Sequence, residues 1–317
     1  MRITVFEGES ICGDDLSLDF LNRYGSVRFY GVPDPAEVPN LIGDSEAVLC
    51  SKVLLGAEVF DACPNLRYIG LMATGYNNVD VAEAARRGIT VTNIPDYSSD
   101  AVAQMTLAFL LQFATNLISY TESTRRGDWL RSEIFCYYPY PMMELRGKTL
   151  GLFGMGSIAK KVAEAAAALG MRILYHATTE KKDLPYTFVS KERLWEESDF
   201  LSLHCPLNDG TREIICRDTL ARMKKTAFLI NTARGGLVRE EDLAEALREG
   251  RLAGYAADVL AIEPQRADCP LIGAPRCILT PHVAWAPAET RRRLMTVLGQ
   301  NLEAWQKGVP QNTVFPK

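Results

Sequence analysis

Short apolar runs alternate with longer stretches of mixed polarity along almost the whole chain. Continuous apolar runs of this length are typical of strands that are buried on both faces, and the stretches between them have the length and pattern of helices. Strands that alternate with helices favour parallel sheets covered by helices. The pattern predicts strands at Arg2–Phe6, Val27–Tyr30, Ala47–Cys50, Tyr68–Leu71, Thr90–Asn93, Thr149–Phe153, Arg172–Tyr175, Phe200–His204, Ala227–Asn231, Gly254–Asp258 and Cys277–Thr280.

The alternation falls into two series, which indicates two α/β domains. The first series ends near Asn93 and the second begins at Lys148. A last helical pattern, Pro287–Lys307, follows the second series and can return to the first domain, which makes that domain discontinuous. We therefore expect one domain of residues 1–98 and 286–317, and a second of residues 99–285.

The stretch Ala101–Thr121 carries no charged residue over 21 positions, which is the length of a membrane-spanning helix. Polar side chains such as Gln104, Gln112 and Asn116 interrupt it, and the whole set is too polar for lipid. We expect a helix that is buried between domains or subunits, and no association with a membrane.

Composition narrows the classes of function. The chain has 35 basic and 39 acidic residues and a net charge of −4, which argues against a surface that coats nucleic acid. Its eight cysteines are scattered and form no C-x-x-C pair, so we expect free thiols in a reducing compartment and no metal site. The first segment turns polar at Glu7, which favours a strand over a secretion signal and predicts a cytoplasmic protein.

The strongest local motif is a glycine-rich turn between the strand Thr149–Phe153 and an alanine-rich helix. Gly154 permits a tight turn, Gly156 lets the backbone approach a pyrophosphate, and the small Ala159 keeps the helix close to its strand. Free N–H groups at the start of the helix face the phosphate charge. An ordinary tight turn is the alternative, but the strand–turn–helix context favours dinucleotide binding.

The next strand normally ends in an acid that binds the adenosine ribose, about 20 residues further on. Here Ala177 stands at that position, and it is followed by Thr178, Thr179, Glu180 and the pair 181–182, both lysines. Two hydroxyls and two ammonium groups suit a 2′-phosphate, which favours NADP over NAD. In the alternative, this is a solvated turn and Glu180 binds the ribose of NAD.

Three chemically capable side chains follow strands of the second series. Arg234, Glu263 and His282 should lie at the same sheet edge as the dinucleotide turn, because the carboxyl ends of parallel strands meet there. The arginine would hold and polarise an α-keto acid, the histidine would donate or accept the hydroxyl proton, and the glutamate would orient the histidine. Taken singly, Arg234 could form a surface ion pair and Glu263 a turn, while His204 is an alternative acid–base group.

Six segments occur in this order along the chain: Ala73–Asp80, Gly88–Asn93, the dinucleotide turn, Asn231–Gly235, Asp258–Pro264 and Thr280–His282. With this set, the chain resembles the D-isomer-specific 2-hydroxyacid dehydrogenases over essentially its whole length. Within that family, the segments 72–77, 98–104, Trp129 and 135–136 are most similar to glycerate dehydrogenases, also called hydroxypyruvate reductases.

The resemblance implies a flavodoxin-like substrate domain (1–98 and 286–317), a Rossmann domain that binds NAD(P) (99–285), and a homodimer built through the Rossmann domain. Both domains would be doubly wound parallel sheets. The implied catalytic residues are Arg234, Glu263 and His282, of which Arg234 and His282 also contact the substrate, and the amides of Thr74 and Gly75 would bind its carboxylate. The implied cofactor contacts are Ser157 and Ile158 at the pyrophosphate, Cys205 and Pro206 near the adenosine, and Thr232, Ala233, Arg234 and Asp258 at the nicotinamide.

These expectations favour an NAD(P)-dependent enzyme that reduces hydroxypyruvate, glyoxylate or a related short 2-keto acid to the D-2-hydroxy acid. A formate-type oxidation needs no proton acceptor, so the Arg–Glu–His set argues against it. The alternative of a different class is a non-catalytic scaffold of the same fold that senses NAD(H).

Overall fold

The computed structural model describes residues 1–316. The strands are β1 Arg2–Phe6, β2 Ser26–Tyr30, β3 Ala47–Cys50, β4 Tyr68–Leu71, β5 Thr90–Thr92, β6 Thr149–Phe153, β7 Arg172–His176, β8 Thr187–Phe188, β9 Phe200–Leu203, β10 Phe228–Asn231, β11 Gly254–Ala257 and β12 Cys277–Leu279. The α-helices are α1 Gly8–Cys12, α2 Val38–Ile42, α3 Ala57–Ala62, α4 Val81–Arg86, α5 Ser99–Thr115, α6 Leu117–Arg125, α7 Ser157–Ala168, α8 Lys191–Glu197, α9 Arg217–Arg222, α10 Glu240–Arg248 and α11 Ala288–Gln306. Short 3-10 turns are Asp19–Arg23, Pro35–Glu37, Asp128–Arg131 and Gly235–Leu237.

The chain forms two compact units. Unit 1 contains Met1–Ser98 and the chain from Trp285 onward, and unit 2 contains Ser99–Ala284. Unit 1 has a five-stranded sheet in the order β2-β1-β3-β4-β5, and all of its strand pairs are parallel. This is the 2-1-3-4-5 order of flavodoxin-like folds, so the predicted flavodoxin-like sheet is confirmed.

The C-terminal helix α11 belongs to unit 1 because one of its faces is apolar. Leu294, Leu298 and Leu302 recur every four residues and are fully buried with strand residues of the five-stranded sheet. Each such side chain contributes roughly 1.5–3 kcal/mol through burial. The ring of Trp305 lies 4.8 Å from that of Tyr68 on β4 and extends the contact to the end of the helix.

Unit 2 is built on a seven-stranded parallel sheet in the order β12-β11-β10-β9-β6-β7-β8. Numbered within the unit, the order is 3-2-1-4-5-6 with a seventh strand added, which is the Rossmann arrangement that the sequence predicts. Alternate residues of β10 enter different cores: Leu229 packs on one face, and Phe228 and Ile230 on the other. Burial on both faces explains the continuous apolar runs.

Two local features differ from the sequence prediction. The edge strand β8 was not predicted, because it has only two residues and pairs only with β7. The uncharged stretch is not one helix: it breaks between α5 and α6 at Asn116, which has φ 50°. The Asn116 side chain donates a hydrogen bond to the carbonyl of Pro141, and this contact stabilises the break.

The break at Asn116 divides the uncharged stretch into two helices, each shorter than the stretch itself. Within residues 1–316, no single helix is long and apolar enough to cross a membrane. Only α5 and α6 taken together reach that length and composition, and they are bent by 62° relative to each other.

Candidate active site

The carboxyl edge of the seven-stranded sheet carries the predicted motifs of unit 2. Because every pairing in this sheet is parallel, the segments that follow its strands emerge on the same side. These segments are Gly154–Ile158 after β6, 177–182 after β7, 204–206 after β9, 232–235 after β10, Asp258–Glu263 after β11 and 280–284 after β12.

The strand order reverses between β6 and β9, and the glycine-rich turn begins at this switch point. Gly154 has φ +103°, a conformation that only glycine adopts readily. A Cβ at this position would lie 2.6 Å from the carbonyl carbon of His204, so there is no room for a side chain. Gly154 thus brings the turn against the backbone that follows β9.

Gly156, unlike Gly154, has open space where a side chain would lie. A Cβ built there would contact nothing within 4 Å, so the backbone faces open space at the start of α7. The helix has no side-chain cap and no acidic residue in its first turn. Its first N–H groups, including those of Ser157 and Ile158, are therefore available to an anion. An open cradle beside free amides fits the pyrophosphate of a dinucleotide.

The loop after β7 is anchored at one point and otherwise exposed. The hydroxyl of Tyr175 accepts a hydrogen bond of 2.8 Å from the Lys181 amide. Ala177 is half-buried, and Thr178 and Thr179 are exposed. The loop therefore presents two hydroxyls and a lysine-bearing turn to solvent at the position where the adenosine ribose is expected.

His204 and Cys205 are uncharged where they follow β9. Burial lowers the pKa of His204 to about 4, and its Nε2 lies 2.9 Å from the Ser202 hydroxyl. Burial also raises the pKa of the Cys205 thiol to about 11. At neutral pH His204 therefore carries no proton to give as an imidazolium, which weakens it as the acid–base group. Pro206 is exposed beside them.

A buried asparagine shapes the turn that carries Arg234. Asn231 accepts the Ala233 amide at 3.0 Å and donates to the Arg234 carbonyl at 2.9 Å, so it closes the turn from both sides. The Thr232 hydroxyl is fixed 2.9 Å from that of Thr106 on α5. The guanidinium donates to the Ala233 carbonyl at 2.7 Å and forms no ion pair with any residue of the described 1–316.

Asp258 fastens the loop that carries His282. Its carboxylate is buried and accepts hydrogen bonds from the Thr280 hydroxyl at 2.6 Å, the Val283 amide at 2.9 Å and the Ala284 amide at 2.8 Å. His282 has φ 55°, a backbone conformation that non-glycine residues rarely adopt. Such conformations persist where the surrounding contacts enforce them, and they are frequent at active sites. The family resemblance predicts Asp258 at the nicotinamide, and in the structure its carboxylate bonds to the loop of His282.

Glu263 and His282 are in direct contact. Glu263 Oε2 lies 2.7 Å from His282 Nδ1, and Glu263 Oε1 accepts the Leu260 amide at 3.0 Å. About 30% of each side chain is exposed. Bonding at Nδ1 fixes the tautomer in which Nδ1 carries a proton, so Nε2 is left for proton exchange with a ligand.

The turn that carries Arg234 packs directly on the loop that carries Glu263. A Cβ on Gly235 would lie 1.9 Å from the carbonyl carbon of Leu260, so the two backbones touch. Gly235 is therefore required by a close approach of two loops, which places the backbone beside Arg234 against the loop that carries Glu263.

Thr74 and Gly75 belong to unit 1, in the loop that follows β4. The Thr74 hydroxyl donates to the Ile94 carbonyl at 2.7 Å, and its own carbonyl accepts the Asn93 side chain at 2.7 Å. These contacts fix the loop, whereas the amides of Thr74 and Gly75 donate to no acceptor within residues 1–316. They are free to bind an anionic group.

Comparison with known proteins assigns the chain to a family. Residues 107–284 match the family model described as D-isomer specific 2-hydroxyacid dehydrogenase, NAD binding domain. The chain is 38% identical to a hydroxypyruvate reductase of Blautia hydrogenotrophica, with 99% of each chain covered. It is 39% identical to a glycerate dehydrogenase of Methylorubrum extorquens, over 99% of this chain and 98% of that protein. The chain belongs to the D-isomer-specific 2-hydroxyacid dehydrogenases.

Solved structures of similar proteins agree with this assignment. The TT0316 protein of Thermus thermophilus superposes with a TM-score of 0.90 at 37% identity, covering 99% of this chain and all of that chain. An NADPH-dependent glyoxylate/hydroxypyruvate reductase of Sinorhizobium meliloti, in complex with NADP and malonate, gives 0.87 at 31% identity, covering 99% and 96%. As a D-2-hydroxyacid dehydrogenase, the chain is an NAD(P)-dependent oxidoreductase that acts on CH–OH groups, and the sequence prediction of an enzyme of this class is confirmed.

Some contacts of this dehydrogenase site escaped the sequence analysis. Thr106 lies in the uncharged stretch and bonds to Thr232, and Glu240 on α10 bonds to the Ala261 amide at 2.8 Å. Both pairs are distant in the sequence, so no local motif predicts them. In residues 1–316, no group of three His, Cys, Asp or Glu side chains is arranged to hold a metal ion.

Proposed function

We propose that this dehydrogenase reduces hydroxypyruvate or glyoxylate to the corresponding D-2-hydroxy acid. The observation that carries the proposal is the 2.7 Å contact between Glu263 and His282 at the sheet edge that also carries the dinucleotide turn. The relatives named hydroxypyruvate reductase and glycerate dehydrogenase, which match over essentially the full chain, support the choice of substrate.

Arg234 holds the keto acid in this proposal. A guanidinium presents several donors in one plane and can bind a carboxylate oxygen and the keto oxygen together. Because Arg234 has no ion pair in the described chain and its turn is closed by Asn231, its charge is available and its backbone is fixed. The amides of Thr74 and Gly75 in unit 1 donate to no acceptor within residues 1–316, and the family resemblance predicts that they bind the substrate carboxylate.

His282 is the proton donor in this proposal, and Glu263 orients its ring. When bound, the reduced nicotinamide supplies the hydride that adds to C2 of the keto acid. The C2 oxygen takes a proton from His282 Nε2 as its carbonyl bond opens, so keto acid, hydride and proton together give the hydroxy acid. The Glu263 carboxylate at Nδ1 stabilises the imidazolium before transfer and keeps the ring oriented afterwards.

The cofactor lies, in this proposal, along the carboxyl edge of unit 2. The amides of Ser157 and Ile158 bind its pyrophosphate beside Gly154 and Gly156. Cys205 and Pro206 contact the adenosine half. Thr232, Ala233, Arg234 and Asp258 lie at the nicotinamide, where Asp258 also holds the loop of His282.

We further propose that NADP is preferred over NAD. No acid stands at Ala177, and the exposed hydroxyls of Thr178 and Thr179 with the neighbouring lysines suit a 2′-phosphate. Glu180 is the residue that would favour NAD, through the ribose hydroxyls.

A panel of short 2-keto acids, each assayed with NADPH and with NADH, tests substrate and cofactor together. We expect hydroxypyruvate or glyoxylate to give the highest kcat/KM, and we expect NADPH to be the better cofactor. A protein that binds the cofactor but turns over none of the acids would be a sensing scaffold. Equal or better rates with NADH would refute the cofactor preference alone.

We propose that the enzyme is a homodimer formed through unit 2. Large apolar side chains are exposed near its helix α6, among them Leu117 (65%), Leu130 (90%) and Phe135 (88%). Exposed apolar patches of this kind are frequent at interfaces between subunits.

Light scattering is expected to give twice the mass of one chain, and the L117E/L130E double variant is expected to give a monomer. Val32, which is 86% exposed in unit 1, provides the matched control V32E, which should stay dimeric. A wild-type monomer, or dissociation of V32E alone, would contradict this interface.

A further inference from the structure

Glu240 is not one of the proposed catalytic or cofactor-binding residues, yet it contacts the loop that carries Glu263. It is the first residue of α10 and is half-buried. Its Oε1 accepts the Ala261 amide at 2.8 Å, two residues before Glu263. Its Oε2 lies 3.9 Å from the Cys269 thiol, so both oxygens of the carboxylate face this part of unit 2.

Several contacts hold this loop, including the bond between Glu263 and His282. Residues 259–263 form no helix or strand, and Ala261 and Ile262 are exposed. The loop rests on Gly235 at Leu260, and Glu263 itself accepts the Leu260 amide at 3.0 Å. The bond from the Ala261 amide to Glu240 ties the middle of the loop to the first residue of α10. A hydrogen bond to a carboxylate is stronger than one between neutral groups.

We propose that Glu240 is a positioning residue for the reaction. By fixing the Ala261 amide, its carboxylate keeps Glu263 Oε2 within hydrogen-bonding distance of His282 Nδ1. Displacement of a catalytic group by about 1 Å is enough to lower a rate on the order of a hundredfold, so an anchoring bond two residues before Glu263 is significant. This inference rests on the proposed roles of Glu263 and His282.

A purely structural role for Glu240 is the alternative. An acidic residue in the first turn stabilises a helix through the helix dipole. Glu241 is the matched control, because it occupies the next position of the same turn and is exposed. E241A removes an equivalent charge from the helix start without touching the loop.

The experiment compares E240A, E240Q and E241A in the full chain. In E240A the Ala261 amide loses its acceptor, and we expect kcat to fall about tenfold to a hundredfold with a smaller change in KM for the keto acid. In E240Q the side-chain carbonyl still accepts this amide, though more weakly, so kcat should fall much less than in E240A, and E241A should stay close to wild type. Hydrogen exchange of the peptide that covers residues 259–264 should be faster in E240A only.

Coupling to Glu263 gives the decisive readout. If Glu240 acts through Glu263, adding E240A to E263Q should lower kcat little further, because the oriented carboxylate is already gone. An equal loss in both backgrounds, or unchanged exchange in the 259–264 peptide, would overturn the inference while the proposed function stood. Full activity in both E263Q and H282A would instead refute the proposed function.

Discussion

Replacement of His282 by alanine is expected to lower kcat by about two to four orders of magnitude, while the affinity for the cofactor changes little. The variant lacks the proton donor for the C2 oxygen, but the dinucleotide turn at Gly154–Ile158 is unchanged. Steady-state kinetics with hydroxypyruvate and fluorescence titration with NADPH measure the two effects separately.

The histidine at position 176 provides the control for this variant. Its Nδ1 lies 3.0 Å from the Val189 carbonyl, at the end of β7 and away from Glu263. H176A should keep its kcat at saturating cofactor. If H282A retained full kcat, His282 would have no part in proton transfer.

Conversion of Arg234 to lysine is expected to damage both KM and kcat. An ammonium is a point donor and cannot reproduce the paired contacts of a planar guanidinium. Loss of one charge-assisted hydrogen bond costs about 1.5–3 kcal/mol, so kcat/KM should fall roughly 10- to 150-fold. The initial-rate dependence on the concentration of the keto acid gives both constants.

Arg239 offers the matched substitution for this measurement. It lies five residues further on, and its exposed side chain pairs with Glu213 on the surface. R239K should leave both constants near those of the wild type, since exposed ion pairs contribute little. Unchanged kcat and KM in R234K would show that the Arg234 guanidinium does not hold the keto acid.

The sequence predicted the sheets well because their strands are buried on both faces. Ala47–Cys50, Tyr68–Leu71 and Thr149–Phe153 have the bounds that the apolar pattern predicted. The pattern carries less information where burial is partial or where a distant contact decides. The two-residue strand β8 has too few apolar positions to be recognised, and the break at Asn116 depends on a carbonyl 25 residues away.

The same distinction applies to the site. Parallel strands send Arg234, Glu263 and His282 to one edge, so their grouping follows from the order of elements along the chain. The hydrogen bonds made by nearby residues such as Asp258 and Glu240 do not follow from that order. Asp258 reaches amides 25 and 26 residues away, and Glu240 reaches one 21 residues away. Such contacts depend on how loops pack in three dimensions, which local residue patterns do not specify.

Transfer of deuterium offers the most direct measurement of the proposed chemistry. The protein is supplied with hydroxypyruvate and NADPH that carries deuterium at the transferring position of C4, and the product is analysed by mass spectrometry and chiral chromatography. Hydride delivery to a keto acid held by Arg234 and protonated by His282 predicts D-glycerate with a single deuterium at C2, and almost none of this product from H282A. Bound cofactor with no deuterium in glycerate, or equal labelling by H282A, would contradict it.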